Sequence, residues 1–516
     1  MTAEQAELAA RAAATHVVVV GAGIGGLIAA RECAKVGMQV TLLEGSDVLG
    51  GSIRAAELDG LRVDAGAESF ATRGGHVRAL LDELGLSDRI EAPAAGGAWL
   101  AGIPGVGAAP LPVGGILGIP ANPFQEDVRR VIGWSGAWRA YLDRVRPPLT
   151  IGHQHSLGRL VASRMGKKVR DRLVAPVTTG VYSASPEDVD VDIAAPGLNA
   201  ALTRVGSLSG AVQALREEGA ARAAAKAPEP AAKAPGAAVE GIVGGMTVLV
   251  DALEADLIRL GAVVRTRTRA RSLSKSGESW LVETETDGKA DAVPGAHPDE
   301  NDAVPLDPTG TTDELAADAV ILATDEAAAR RLLGGVVPKL RESAAEGDAP
   351  EIEIVTLLLD ARELDASPRG TGVLTVPGSH TAKALTHSTA KWRWLREAAG
   401  NRHLVRVSFG AQGERPATAA LDDEAAARLA LAEASALLGL SLPDAALLAS
   451  HRSRYVQSQP ASIIGAGELR SSARGAVQAV PGLAAVGAWL SGTGLAQVIP
   501  DARDEADRLR RTLIWE

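Results

Sequence analysis

The chain has 516 residues, of which 46% are hydrophobic and 22% charged. That is the balance of a folded protein too long for one core, so two or more domains are expected. The formal net charge of -10 argues against a general binder of nucleic acid or anionic membrane, which needs a large positive field to collect phosphates. The single cysteine, Cys33, excludes an internal disulfide and a cysteine-rich zinc site, and it fits a reducing, cytoplasmic setting.

In chain order, MTAEQAELAARAAATH lacks the apolar core of a signal peptide and is too acidic for a transit peptide. It reads as a short, frayed, Ala-rich leader. HVVVV (His16 to Val20) is a continuous apolar strand of the kind buried in a parallel sheet. GAGIGGL then opens a helix that runs to about Val36 and contains Cys33, and MQVTLLE forms the second strand.

Within that unit Gly21, Gly23 and Gly26 form GxGxxG, with Ala22, Ile24 and Gly25 between them. The first glycine permits a tight turn, the second admits a diphosphate against bare backbone, and the third lets helix and strand pack closely. The helix N-terminus then presents free N–H groups to the phosphates. Glu44 closes the second strand 18 positions after Gly26, where an acid accepts hydrogen bonds from an adenosine ribose, and Gly45 follows it. These features suit NAD and FAD alike. Gly50, Gly51 and Ser52, with Arg54 close behind, supply a second backbone approach and a cation, and this favours FAD.

From Ala92 to Gln125 no residue is charged, but six prolines exclude a membrane-spanning helix, so a loop-rich, partly buried excursion is expected. Glu126 to Ser209 reads as mainly helical, with a basic series at Arg159, Arg164, Lys167, Lys168, Arg170 and Arg172. That series reads first as a solvated helix face and second as an attractant for an anionic substrate. His153 and His155 read as loop residues, and no metal is expected. Residues Glu217 to Val239 read as a mobile Ala/Pro/Lys insertion. A helix and an extended segment follow from GIVGGMT, and Asp287 to Thr312 reads as a long hairpin or loop. ADAVILATDEAAARRLL is a buried strand running into a helix. Glu351 to Phe409 carries several β-like runs, and LAAVGAWLSGTGLAQVI is an apolar strand breaking at glycines.

The expected fold is α/β. A Rossmann-type nucleotide domain is assembled from residues 15–90, 240–335 and 476–516, and a mixed-sheet substrate domain from 91–125 and 336–475. Residues 126–215 form a helical domain and 217–239 a flexible insertion.

Taken together, the fingerprint, the GG-x-x-R segment, the mid-chain strand and the C-terminal glycine motif resemble the FAD-dependent amine oxidase superfamily. Within it, GAESFATR, LLDELGLSDRI, LPVGGILGIPANPF and GVYSASPEDVDV resemble the protoporphyrinogen and coproporphyrinogen III oxidases, most of all the actinobacterial coproporphyrinogen III oxidases. Two departures stand out: Ser183-Ala184-Ser185 after Tyr182, and PDARDEA after Ile499.

The resemblance implies non-covalent FAD, since no cysteine lies near the C-terminal motif. It implies flavin contacts from Gly66, Ala67, Glu68 and Ser69, and an adenine-side contact at Ala270. Ala323, Thr324, Gly487, Thr493, Gly494 and Leu495 would complete the cradle. No catalytic side chain is expected, because the flavin takes hydride from the macrocycle and O2 reoxidises it. Arg73 is the expected propionate contact, with Tyr182 and Ala184 lining the ring pocket. Coproporphyrinogen III is placed ahead of protoporphyrinogen IX. A carotenoid desaturase, a polyamine oxidase and a non-catalytic flavin or porphyrin carrier remain open. The remaining partner expectation is a transient contact with a ferrochelatase-type acceptor or a membrane surface.

Overall fold

A computed structural model describes residues 2–146, 154–226, 239–286, 311–341, 350–456 and 462–515. Its centre is a five-stranded, all-parallel sheet in the order Val263–Arg265, Gln39–Leu43, His16–Val20, Ala319–Leu322, Leu483–Ala485. Val17–Val20 and Ala319–Leu322 are apolar throughout because both faces of such a sheet are covered. The helices Ile24–Ala34 and Leu495–Ile514 pack together on one face, and every residue of the first is buried. Cys33 lies in that layer, where burial pushes its thiol up to about 12.

An antiparallel meander, Thr268–Ser276, Ser279–Thr286 and Thr311–Ala317, leans against the opposite face through Trp280 and Val282. The last two strands pair antiparallel; of the span read as a long hairpin or loop, Thr311 and Thr312 are strand and residues 287–310 lie outside the described residues.

A second, seven-stranded mixed sheet runs in the order Leu447–Val456, Glu351–Leu359, His403–Phe409, Ala384–His387, Gly372–Thr375, Ala98–Ile103, Gly107–Pro110. The uncharged run Ala92–Gln125 is loop-rich and partly buried as expected, but it also carries strands. It supplies two of these strands, one of them at the edge, where glycine and proline are tolerated. A layer of helices between Glu126 and Lys226 closes over this sheet, with its own core around Val131, Ile132, Val161 and Leu173.

Two expectations are corrected. The amino end is not frayed: Ala3–Ala14 is a helix with a Thr2/Gln5 capping box, and Leu8 and Ala12 pack on the core. The segment read as a mobile insertion begins as ordered helix, since Leu208–Lys226 is continuous and Val239 starts a strand. Gly219 apart, its first half is built from Ala, Glu, Arg and Lys, which favour helix, and the prolines come only afterwards. Residues 227–238 lie outside the described residues.

The basic series is only partly a solvated face. Arg164 is buried, and its guanidinium donates to Asp143 Oδ1, to the Asp143 carbonyl at 3.1 Å and to Gly206 O at 2.7 Å. Asp143, fully buried, also accepts from Leu208 N. Replacing Arg164 with Met should strand that carboxylate without a counter-charge and cost about 3–5 kcal/mol. Equilibrium unfolding in urea should show the loss; an unchanged midpoint would contradict it.

Candidate flavin site

The glycines of the fingerprint divide into two kinds. Gly21 has φ of 100°, donates to Leu43 O at 2.8 Å, and a Cβ there would sit 2.7 Å from Ala323 O. A Cβ on Gly26 would overlap the Gly21 carbonyl and press on the Ala323 methyl at 2.9 Å. Both are demanded by protein packing. Gly23 is different: it has φ of -65°, and a Cβ would meet nothing within 4 Å. Bare backbone there faces open space at a helix N-terminus that no side chain caps, as a bound diphosphate requires.

Other segments close around this loop. Gly50 N donates to Ala22 O at 2.9 Å, and Gly23 and Gly50 bridge in parallel. A Cβ on Gly51 would lie 3.2 Å from Gly23 Cα, and one on Gly25 would lie 3.3 Å from the Gly487 backbone. Arg54 Nε braces the Gly51 carbonyl at 2.9 Å. A Cβ on Gly66 would overlap Ser52 O, to which Ala67 N donates at 3.4 Å.

Glu44 holds the loop. It accepts from Ala22 N at 2.8 Å and from Ser46 N and Oγ at 2.9 Å. A carboxylate offers about four acceptor sites, so room for a ribose hydroxyl remains. Gly45 lies against Arg269, and the neighbouring Ala270 is buried with Val20 and Leu43. Ala323 and Thr324 stand at the end of their strand, against Gly21, and Gly494 starts the last long helix with φ of 109°. Ser69 is half-buried, between Glu68 and the short strand at Phe70.

The Glu68 surroundings could not be read from the sequence. Its carboxylate accepts from Lys391 Nζ at 2.6 Å, Ser388 Oγ at 2.9 Å and Arg406 at 3.1 Å. Burial pushes it up, but Lys391 and Arg406 outweigh that and hold it at about 2. Arg406, on a core strand of the seven-stranded sheet, also donates to the Ala65 and Gly66 carbonyls. Nearby Asp64 accepts from Met246 N at 2.8 Å, and burial raises it to about 7.

Of the candidate substrate residues, Arg73 and Tyr182 lie near each other. Arg73 is exposed. With the Gln497 amide turned so that it donates to Thr493 O at 2.8 Å, its oxygen accepts from Arg73 at 3.3 Å. Tyr182 is half-buried; burial raises its phenol and the Arg73 charge pulls it back. Ser183, left-handed at φ of 55°, accepts at Oγ from Lys383 Nζ at 2.7 Å, a lysine absent from the sequence reading. Burial brings Lys383 down to about 7. Ala184 is a correction: it is fully buried in the helical core and lines no pocket. Leu495 is half-buried, packed on the nucleotide core.

His155 stands 3.5 Å from Asp190, and with Asp192 it forms a potential ligand cluster, though both acids already accept protein N–H groups; His153 lies outside the described residues.

The sequence profile of flavin-containing amine oxidoreductases matches residues 24–510. The chain belongs to that family. FAD is its cofactor, and the glycine cradle fits it. The chain is similar to coproporphyrinogen III oxidase of Mycobacterium tuberculosis, 29% identical over 484 residues that cover 92% of this chain and 93% of that one. The enzyme of the same name from Propionibacterium freudenreichii is 27% identical over 518 residues, covering 96% and 90%. Among solved structures, a protein of Exiguobacterium sp. 255-15 provisionally named a protoporphyrinogen oxidase superposes with a TM-score of 0.75 at 20% identity, covering 96% and 98%. Cyclohexylamine oxidase from Brevibacterium oxydans gives 0.61 at 14%, covering 97% and 99%. Among the described residues no helix is long and apolar enough to cross a membrane.

Two outcomes follow from this geometry. Gly23→Val should fold yet purify colourless, whereas Gly26→Ala should fail to fold stably; flavin absorbance and circular dichroism separate the two. Glu68 contributes stability above its unfolded pKa, lost as pH falls from 4.5 toward about 2. Glu68→Gln should flatten thermal unfolding temperature across that window, and a slope equal to wild type would remove the cluster from the acid limb.

Proposed function

We propose that this protein oxidises coproporphyrinogen III to coproporphyrin III, removing six electrons and six hydrogens with three O2 reduced to three H2O2. The observation that carries the reading is likeness over nine-tenths of both chains to enzymes named for that reaction. Bound FAD supplies the two-electron acceptor for each dehydrogenation. The chain's own residues hold and orient the ring. The exposed Arg73 lies near Tyr182, and Lys383, sunk between the helical layer and the sheet, donates to the adjoining Ser183. Two cations so placed suit a flexible macrocycle carrying four propionates better than one carrying two. The Tyr182 ring, half-buried against the helical core, offers an apolar surface beside them. No side chain is asked to act as a nucleophile.

Purified holoenzyme given coproporphyrinogen III in air should generate porphyrin fluorescence and peroxide together, faster than with protoporphyrinogen IX. The reverse preference would reassign it to the two-propionate substrate. No turnover of either, with full FAD occupancy, would favour a desaturase or a carrier.

Arg73→Ala should raise KM about tenfold with little change in kcat. Lys383 is cationic below about pH 7 and loses its charge above it, so KM should climb as pH rises through 7. Lys383→Met should give a high KM that no longer varies there; an unchanged pH profile would take Lys383 out of the substrate site.

A further inference from the structure

We propose that Gln497 is the positioning residue for Arg73: it holds the guanidinium in place and leaves its charge whole for a propionate of the substrate. The inference rests on the substrate reading above and deepens it at one side chain. Gln497 is half-buried in the first turn of the helix Leu495–Ile514, three residues after the N-cap Gly494. That turn is tight, with Gln497 N and Val498 N both donating to Gly494 O, at 3.0 and 3.1 Å. The Thr493 carbonyl, just outside the helix, receives the Gln497 side-chain amide instead, at 2.8 Å. A carbonyl can only accept, so it dictates which end of the amide faces it. The amide nitrogen goes to Thr493, and the amide oxygen is left facing Arg73 at 3.3 Å. Main chain thus fixes the acceptor that Arg73 meets.

The arginines on either side of Arg73 in sequence keep different company. Arg62 lies 3.7 Å from Asp251, and Arg78 grips Glu240 with two N–H groups. Among the described residues no carboxylate pairs with Arg73. Its neighbours are neutral, the Gln497 amide oxygen and the nearby Tyr182 phenol.

That difference decides what Gln497 does. A guanidinium carries several N–H donors in a rigid fork, and one neutral acceptor occupies a single donor. It restrains a long side chain, so less rotamer freedom is lost when a ligand binds, and it cancels none of the positive charge. A carboxylate at the same place would also orient Arg73, but it would neutralise the cation and repel an incoming propionate. Lys383 repeats the arrangement, since its ammonium rests on the Ser183 hydroxyl at 2.7 Å. Both candidate substrate cations are steered by uncharged groups, as a pocket for a ligand with several carboxylates requires.

Holoenzyme would be titrated with coproporphyrin III, followed by porphyrin fluorescence anisotropy, and assayed for KM and kcat with the porphyrinogen. Q497M keeps the length of the side chain and loses both hydrogen-bonding atoms. It should weaken binding and raise KM about fivefold, with kcat within about twofold of wild type. Q497E, which pairs with Arg73, should weaken binding at least about tenfold. In an R73A background neither change should move the affinity by more than about twofold, because the group through which Gln497 acts is gone. Flavin absorbance should show full FAD in every variant. Equal weakening with and without Arg73, or loss of FAD from Q497M or Q497E, would overturn the proposal and give Gln497 a role in the cradle alone. Weak binding by R73A beside wild-type binding by both Gln497 variants would sink this inference and leave the substrate site standing. Wild-type binding by R73A would remove the substrate site and Gln497's role together.

Discussion

The structure depends on one close approach of main chain to main chain. The Gly21 carbonyl lies where a side chain on Gly26 would be, and Ala323 presses on both from the neighbouring strand. That contact seats the helix Ile24–Ala34 directly on the end of the strand His16–Val20. Only then does the helix N-terminus open onto the free space at Gly23, with the Gly50–Gly51 backbone and the Gly487 turn closing in from either side. The cradle is made of absent side chains, so its shape is set by backbone geometry alone.

A second constraint couples this cradle to the seven-stranded sheet. Arg406 rises from a core strand to hold the Ala65 and Gly66 carbonyls and the Glu68 carboxylate, and Lys391 takes the other carboxylate oxygen. Charges this deep gain little net stability over apolar packing, but a misplaced neighbour leaves them unsatisfied. Their effect is to fix where the GAES segment stands. Two carboxylates a few residues apart thereby acquire opposite characters: Glu68 is held ionised by two cations, while Asp64, bonded chiefly to one backbone N–H, is pushed toward its neutral form.

Local signals made the nucleotide-binding half legible. HVVVV, the glycine spacing and AVILAT each declare their element within a few residues, and the parallel sheet follows from their burial on both faces. What was missed lay in long-range partnership or in punctuation. Lys391 and Glu68 are 323 positions apart, and Arg406 sits in a run, HLVRVSFG, whose pattern says only strand. Lys383 gained meaning only when Ser183 arrived from the helical layer. The Gly- and Pro-rich run before Gln125 looked like loop because an edge strand accepts the residues that interrupt a central one. The first helix was overlooked because its signal was a capping box, Thr2 with Gln5, and not an apolar periodicity.

The order in which the parallel strands appear along the chain governs its birth on the ribosome. Ala319–Leu322 must wait for Leu483–Ala485 to cover its outer edge, and the glycine turn at Gly487 comes later still. At ordinary rates of synthesis that interval lasts roughly ten to thirty seconds. Throughout it the nascent sheet shows an unpaired apolar border, a hazard for sticking to other unfinished chains. The packing of Gly25 on the Gly487 backbone can form only after that interval, so this side of the glycine cradle is the last of it to be assembled.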